Sequence, residues 1–245
     1  MCDWNRTLFE DEYEIEFFRG LARCAGMSFL KQLKFQSLFR LYWAKKQCEN
    51  MYQNTAHSTK NHSQFFFREI LAILNHGFIR NLPNTVLTDY LPSYAKEATS
   101  RLDQRPIRPL MRSREDRGLK VGILSSGCGI AIKKTLEANK SGIDFIKANS
   151  FEEKNGRLQS FKLDIYDNKA EALKTFLEEM QILPNETMYI GDDWQDEECL
   201  RSVRYPVVSF LAHPEIRTHF KEEVKAYAPE NEAEFSRFIE TTIGY

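Results

Sequence analysis

The hydrophobic and polar positions follow two different patterns along the chain, and the change comes near residue 119. Between residues 10 and about 100, apolar residues recur at mixed three- and four-residue spacings, as in EYEIEFFRGLARCAGMSFLKQLKFQSLFRLYWAKKQ. This spacing predicts helices whose aromatic residues form the core of a helix bundle. The stretch HSQFFFREILAILNHGF predicts a second helix that ends near Gly77. The stretch NLPNTVLTDYLPSYAKEATSRL predicts one or two more helices, broken at the prolines.

From residue 119 onward, short apolar runs alternate with helical segments. The apolar runs are LKVGIL, IDFI, TMYI and YPVVSFL, and the helical segments between and after them include IAIKKTLEAN, NKAEALKTFLEEMQI and NEAEFSRFIET. This alternation predicts a parallel α/β sheet that is covered on both faces. In such sheets, functional groups gather just beyond the carboxyl ends of the strands.

The residues at these strand ends form a chemically coherent set. They are Ser125, Ser126 and Gly127 after one strand, Asp192, Asp193 and Asp196 after another, Lys169 at the start of the helix between them, and Asp3 if MC is the stub of a further strand. Carboxylates, a hydroxyl and a lysine around one cleft suit phosphoryl transfer with a divalent cation. Mg²⁺ prefers oxygen ligands, and a carboxylate is able to attack phosphorus. The pattern therefore favours a phosphoryl-transfer site.

Taken together, these motifs resemble those of the haloacid dehalogenase superfamily of phosphohydrolases. The four matching motifs, in order, are DWNRT at residues 3–7, GILSSG around Ser125, NKAEAL at Lys169, and GDDWQD at residues 191–196. The stretch KANSFEEKNGRLQS is also similar to the phosphoserine-phosphatase-like branch, in which an Ala-Asn pair precedes a short hairpin. The resemblance covers the core motifs, whereas the segment between motifs one and two matches a cap in position and helical character only.

The resemblance implies a fold and an activity. The fold is α/β, a Rossmann-like three-layer core with a parallel sheet, formed by residues 1–9 and 105–245, with an inserted all-helical cap at 10–104. The implied activity is a Mg²⁺-dependent hydrolysis of a small phosphomonoester through an aspartyl-phosphate intermediate. The cap would close over the substrate and set specificity.

The resemblance also implies a role for each site residue. Asp3 is the nucleophile and a metal ligand, Asn5 lends its backbone carbonyl to Mg²⁺, Asp192 is a direct ligand, Asp193 and Asp196 hold metal-bound water, and Ser125, Ser126, Gly127 and Lys169 bind the phosphoryl group. Lys169 also balances the charge of the acidic cluster.

Two features depart from the family pattern. In the phosphatases of this family, the second acidic residue of motif one exchanges protons with the leaving group and with water, but here that position is Asn5, which cannot exchange a proton. Losing a positioned general acid/base costs about 10²–10⁴-fold in rate. In addition, only Met1 and Cys2 precede Asp3, so either the chain is truncated at its start or the first strand is very short. An alternative function is therefore a catalytically impaired member that binds a phosphorylated ligand or a protein.

Composition and other motifs exclude several further classes. A formal net charge of −1 gives no reason to expect a nucleic acid or a membrane as partner. Five scattered cysteines without CxxC spacing favour a cytoplasmic protein with reduced thiols. The stretch SSGCGIAI resembles a dinucleotide-binding loop, but position 132 is Ile instead of a small residue. The arginines between 101 and 117 are interleaved with acids, which favours a solvated helix face. The substrate and the oligomeric state stay open.

Overall fold

The computed structural model describes residues 1–2, 14–26, 78–165 and 168–242. Asp3 and Asn5, and the helices predicted between 27 and 77, lie outside these residues. The described part contains α1 (Glu14–Cys24), α2 (Asn84–Arg101), α3 (Gln104–Arg117), β1 (Gly122–Cys128), α4 (Gly129–Asn139), β2 (Phe145–Lys154), β3 (Arg157–Lys162), α5 (Lys169–Glu179), β4 (Met188–Gly191), α6 (Glu197–Ser202), β5 (Tyr205–Val208), α7 (Pro214–His219) and α8 (Glu232–Thr242). None of the described helices is both long enough and apolar enough to cross a membrane.

The central sheet is parallel and is completed by the second residue of the chain. β1 pairs with β2 and β4 pairs with β5, both in parallel. Cys2 lies between these pairs and bridges Ile123 in β1 and Ile190 in β4. Its N–H donates to the Gly122 carbonyl at 2.9 Å, and the Leu124 N–H donates to its carbonyl at 3.0 Å. The order across the sheet is therefore β2, β1, the Cys2 stretch, β4 and β5.

Both faces of this sheet are buried, as the near-continuous apolar runs predict. On one face Leu124, Tyr189 and Val208 join a hydrophobic core with residues of α5 and α6. Because side chains alternate along a strand, Ile123 and Val207 point to the opposite face, where both are fully buried. The predicted three-layer α/β fold is confirmed.

The chain divides into two compact units. The first contains Met1–Tyr13, Ala95–Asn149 and Leu163–Tyr245, and the second contains Glu14–Tyr94 and Ser150–Lys162. The first unit carries the parallel sheet. The predicted domain division at residues 9 and 104 stays a prediction. In the second unit, a β-hairpin formed by the second half of β2 and by β3 accompanies Glu14–Tyr94.

Aromatic packing holds the described part of the second unit together. Phe18 in α1 meets Phe161 in β3 with ring centroids 5.2 Å apart, and Phe17 meets Tyr94 at 5.0 Å. The hairpin turns at Asn155–Gly156, where both residues have positive φ. An Asn-Gly pair is the preferred sequence for such a tight turn, since both residues tolerate this conformation. The hairpin is thus fixed to α1 by its aromatic side chains.

The predicted break at the prolines is not seen at Pro92, which lies inside the continuous helix α2. A proline in a helix interior costs about 3 kcal/mol or more, so packing has to offset it. The same helix buries Leu87, Leu91 and Tyr94 almost completely. Burial of such side chains contributes about 1.5–3 kcal/mol each, which is enough to keep the helix intact.

The arginine-rich segment forms helix α3, whose arginines bind acidic groups of the same chain. Arg114 makes two hydrogen bonds to the Asp144 carboxylate, at 3.0 and 3.1 Å. Arg108 pairs with Glu232 of α8 at 3.2 Å. These ion pairs agree with the interpretation of the segment as a helix face.

Candidate active site

The last part of β1 contains a bulge that is held by its own side chains. In the pairing with β2, Ser125 lies opposite Ala148 and Cys128 lies opposite Asn149, so the two residues between them bulge out of the strand. The Ser125 side chain is fully buried, and its Oγ accepts a hydrogen bond from the Gly127 N–H at 3.0 Å. A serine hydroxyl both accepts and donates, so its O–H stays directed elsewhere.

Helix α4 begins directly after this bulge. Its N-cap residue, Cys128, makes no capping hydrogen bond through its side chain. The first backbone N–H groups of a helix lack partners within the helix, and together they favour an anion. Gly129 allows the helix start to approach β2 closely, since a Cβ there would stand 3.1 Å from the Asn149 carbonyl oxygen. The bulge and the helix start therefore present hydrogen-bond donors at the carboxyl end of β1.

The third acidic residue of the GDDWQD motif is the centre of a buried hydrogen-bond network. One Asp196 carboxylate oxygen accepts from the Tyr189 hydroxyl at 2.7 Å and contacts the Lys169 ammonium at 2.6 Å. The other oxygen accepts from the backbone N–H groups of Asp192 at 2.9 Å and Asp193 at 3.1 Å. A carboxylate offers about four lone-pair sites, so these four donors occupy all of them.

The glycine that opens this motif makes room for that carboxylate. A Cβ on Gly191 would stand 2.5 Å from the Asp196 Cβ and 2.7 Å from its Cγ. The Asp196 side chain thus folds back over the end of β4, and only glycine leaves space for it there.

Lys169 stands at the first position of α5, and only 4% of it is exposed. Its ammonium lies against a fully buried carboxylate, and such pairs need further hydrogen bonds to offset the loss of water. Tyr189 and the two backbone N–H groups supply them on the carboxylate side. The position of the ammonium is therefore fixed by packing and by a saturated partner.

Asp192 and Asp193 follow β4 directly and offer oxygen atoms of the kind that a hard cation prefers. Asp192 is 2% exposed, and Asp193 is half-buried, with its Oδ1 accepting from the Trp194 N–H at 2.7 Å. Among the described residues, no group of three or more His, Cys, Asp or Glu side chains is arranged to hold a metal ion. Mg²⁺ usually takes only one or two carboxylates together with water and substrate oxygens, so two aspartates at this edge fit it chemically.

The structure brings most of the predicted site residues to one edge of the sheet. Ser125 and Asp192 stand two residues beyond Ile123 and Ile190, the neighbours of Cys2 on its two sides. Since the strands are parallel, both lie at the carboxyl edge, and Lys169 reaches this edge through its contact with Asp196. The predicted roles of Asp3 and Asn5 fall on residues outside the described part of the chain.

Two residues of this site had no predicted role. Tyr189 lies in an apolar strand, and a tyrosine there is normally interpreted as part of the hydrophobic core. Asn149 belongs to the Ala-Asn pair of the KANSF stretch, which is similar to a branch of the family but has no role implied by that similarity. The sequence signal for both residues is a polar side chain within a stretch predicted to be a buried strand. A buried polar group needs a hydrogen-bond partner, so such a residue indicates a specific contact.

Comparison with known proteins identifies the family. A model of the haloacid dehalogenase-like hydrolases matches residues 1–201. Among curated proteins, no sequence matches the chain.

Solved structures show the same fold. A substrate-bound phosphoserine phosphatase complex is 19% identical, with a TM-score of 0.55, over 94% of this chain and 91% of that one. A phosphoserine phosphohydrolase-like protein from Francisella tularensis subsp. tularensis SCHU S4 is 16% identical, with a TM-score of 0.58, over 97% of both chains. A protein of unknown function from Bordetella pertussis Tohama I is 14% identical, with a TM-score of 0.67, over 93% of this chain and 95% of that one. With a family match over 201 of its 245 residues and a fold shared with phosphoserine phosphatases, the chain belongs to the haloacid dehalogenase-like hydrolases.

Proposed function

We propose that this protein is a Mg²⁺-dependent phosphohydrolase that cleaves a small phosphomonoester through an aspartyl-phosphate on Asp3. The observation that carries the proposal is the buried Lys169 ammonium, which contacts Asp196 at 2.6 Å at the edge where the Ser125 bulge also ends. A cation, a hydroxyl and a helix start at one edge suit the oxygens of a phosphoryl group.

The spacing of the strands supports the same role. Neighbouring strands lie about 4.8 Å apart, so the strands that carry Ser125 and Asp192 are roughly 10 Å apart, with the Cys2 stretch between them. The residue that follows Cys2 in the sequence is Asp3. In the proposed site, Asp3 is the group that attacks a phosphoryl bound between the two flanking loops.

The reaction has two steps. In the first, a carboxylate oxygen of Asp3 bonds to phosphorus while the bond from phosphorus to the leaving oxygen breaks. The leaving oxygen takes its proton from water, because Asn5 has none to give. In the second, a water oxygen bonds to phosphorus while the bond from phosphorus to the Asp3 oxygen breaks, and inorganic phosphate leaves. The attacking water gives its proton to the hydroxide that the first step left in the solvent. Through both steps the Ser125 hydroxyl, the Ser126 N–H and Lys169 hold the phosphoryl oxygens. The Gly127 N–H donates to the Ser125 Oγ, so the predicted phosphate-binding role of Gly127 becomes one of orienting that hydroxyl.

The acidic residues have two different roles in this proposal. Asp192 and Asp193, with Asp3 and the Asn5 carbonyl, would hold Mg²⁺, which when bound neutralises phosphoryl charge. Asp196 was predicted to hold metal-bound water, and that stays a prediction. Its four present donors favour a different role, in which Asp196 anchors Lys169 and the backbone of the Asp192 loop.

A small phosphorylated metabolite of the cytoplasm is the proposed substrate class. The second candidate function is a phosphate-ligand or protein-binding module with little turnover, and Asn5 is the observation that favours it. Without a positioned proton donor, the first candidate is expected to prefer leaving groups that need no protonation.

The test measures Mg²⁺-dependent hydrolysis of an aryl phosphate with a good leaving group and of a panel of alkyl phosphomonoesters. We expect activity that requires Mg²⁺, that is lost in Asp3→Asn, and that rises in Asn5→Asp, most strongly on the alkyl esters. Asp116→Asn is the matched control, since Asp116 is an exposed carboxylate on α3.

Two outcomes separate the candidate functions. Equal activity in wild type and Asp3→Asn would refute the aspartyl-phosphate mechanism. Phosphate binding without turnover, in both wild type and Asn5→Asp, would establish the binding module instead.

A further inference from the structure

Asn149 is a fully buried amide in β2 whose two ends bind two different segments of the site. Its Nδ2 donates to the Ser126 carbonyl, and its Oδ1 accepts from the Ile165 N–H at 2.9 Å. A buried amide without partners is costly, so its position depends on both bonds.

The first bond fixes the orientation of one peptide unit in the bulge at the end of β1. In a trans peptide the C=O and the N–H point in opposite directions. Asn149 holds the Ser126 carbonyl at one end, and the Ser125 Oγ accepts from the Gly127 N–H at the other end, at 3.0 Å. The peptide between Ser126 and Gly127 is therefore clamped from both sides.

The fixed Ser126–Gly127 peptide determines the direction in which the Ser125 O–H donates. Its Oγ accepts from Gly127, and its O–H has no acceptor among the described residues, so in this inference the O–H donates to an anion. If the peptide turned, the Gly127 N–H would leave Oγ and the hydroxyl would lose its orientation. Asn149 thus acts on the anion site through Ser125 without touching the anion.

The second bond reaches the segment that leads into α5. Ile165 stands four residues before Lys169, and its carbonyl accepts from the Asn168 N–H at 3.3 Å. The Asn149 side chain therefore connects the bulge to Ile165, in the segment before Lys169.

We propose that Asn149 is a positioning residue for phosphate, which holds the Ser126–Gly127 peptide so that Ser125 donates to the phosphoryl group. The inference rests on the proposed function only in taking phosphate as the ligand of Ser125. It concerns binding, so it is tested without turnover.

The experiment measures the affinity of the full chain for inorganic phosphate by calorimetry in the presence of Mg²⁺. Asn149→Asp keeps the size and the acceptor for the Ile165 N–H but loses the donor to Ser126, and Asn149→Ala loses both. We expect both variants to bind phosphate about 10- to 100-fold more weakly, the effect of losing one hydrogen bond to a charged group. Ser125→Ala should weaken binding similarly, and adding Asn149→Asp to it should have little further effect, because the two residues act through one bond.

Three comparisons separate positioning from general stability. Ile239→Ala in α8 is destabilised away from this edge and should keep wild-type phosphate affinity. Amide exchange at Gly127 should accelerate in Asn149→Asp while exchange in β4 stays slow. Wild-type phosphate affinity in a folded Asn149→Asp, or additive losses in the double variant, would overturn the proposal. So would a wild type that binds no phosphate at millimolar concentration. Phosphate binding that follows this pattern in a protein that hydrolyses no ester would support Asn149 and refute only the proposed hydrolysis.

Discussion

Tyr189 gives the cleanest test of the network around Asp196. Its hydroxyl donates to the Asp196 Oδ1 at 2.7 Å, and both residues are fully buried. Tyr189→Phe removes one oxygen atom and leaves the ring in place, so it creates almost no cavity. The substitution isolates the hydrogen bond.

The loss of stability in Tyr189→Phe depends on the hydrogen-bond partners that the Asp196 carboxylate keeps. A hydrogen bond to a charged group contributes about 1.5–3 kcal/mol. Asp196 Oδ1 keeps the Lys169 ammonium at 2.6 Å, so the carboxylate is not left without a partner. We therefore expect a loss near the lower end, about 1.5–2 kcal/mol in the free energy of unfolding. For a chain of this size that loss corresponds to a decrease of roughly 3–8 °C in the unfolding midpoint.

Urea unfolding followed by far-UV circular dichroism measures this change. Tyr205→Phe is the matched control, because Tyr205 is half-buried in β5 and its hydroxyl has no hydrogen-bond partner among the described residues. The control should stay within about 0.5 kcal/mol of wild type. If Tyr189→Phe also stays within that limit, the phenol does not hold the carboxylate and the proposed anchoring of Lys169 loses its support.

Two further predictions concern the backbone at the end of β4 and the edge where β2 begins. Gly191→Ala would place a Cβ 2.5 Å from the Asp196 Cβ, and we expect it to destabilise the fold by about 1–3 kcal/mol and to weaken phosphate binding. Unchanged unfolding and phosphate binding in Gly191→Ala would contradict this explanation of the glycine. The hydrogen bonds from Arg114 lower the pKa of Asp144 below the ordinary value for an aspartate, which is about 3.9. The Asp144 carboxylate therefore stabilises the fold fully at a pH above about 3.9, and this contribution is lost as the pH falls through the lowered pKa. Asp144→Asn should therefore be less stable than wild type at pH 7, with a gap in urea midpoint that narrows below about pH 4, and a gap that does not depend on pH would refute this reasoning.

The sequence was sufficient for the alternation of strands and helices after residue 119 and for the edge of the sheet at which Ser125 and Asp192 lie. Apolar runs at the right spacing predict the strands that carry Ser125 and Asp192, and parallel strands bring their ends together. The family resemblance then supplies a role for Lys169. These inferences depend on local periodicity and on a general rule about sheets, so they need no knowledge of packing.

The contacts of individual polar groups could not be predicted in this way. The partners of the Asn149 amide are 23 and 16 residues away in the sequence, and no local pattern marks them. The sequence of an acidic motif is the same whether its carboxylate binds a metal-bound water or, as at Asp196, backbone N–H groups and a tyrosine. Pro92 shows the same limit for an element, since tertiary packing maintains a helix that its local sequence disfavours.

The position of Cys2 in the middle of the sheet has a consequence for synthesis in the cell. Its stretch forms hydrogen bonds to residues 120 and 187 positions later, at Gly122 and Met188. Ribosomes add about 5–20 residues per second, so Gly122 follows after roughly 6–24 seconds and Met188 after roughly 10–40 seconds. During that time the residue next to the proposed nucleophile has no sheet to join. In the described part of the chain, the two strand pairs are connected across the sheet through this stretch, so the proposed phosphate site would be assembled only after β4 has been synthesised.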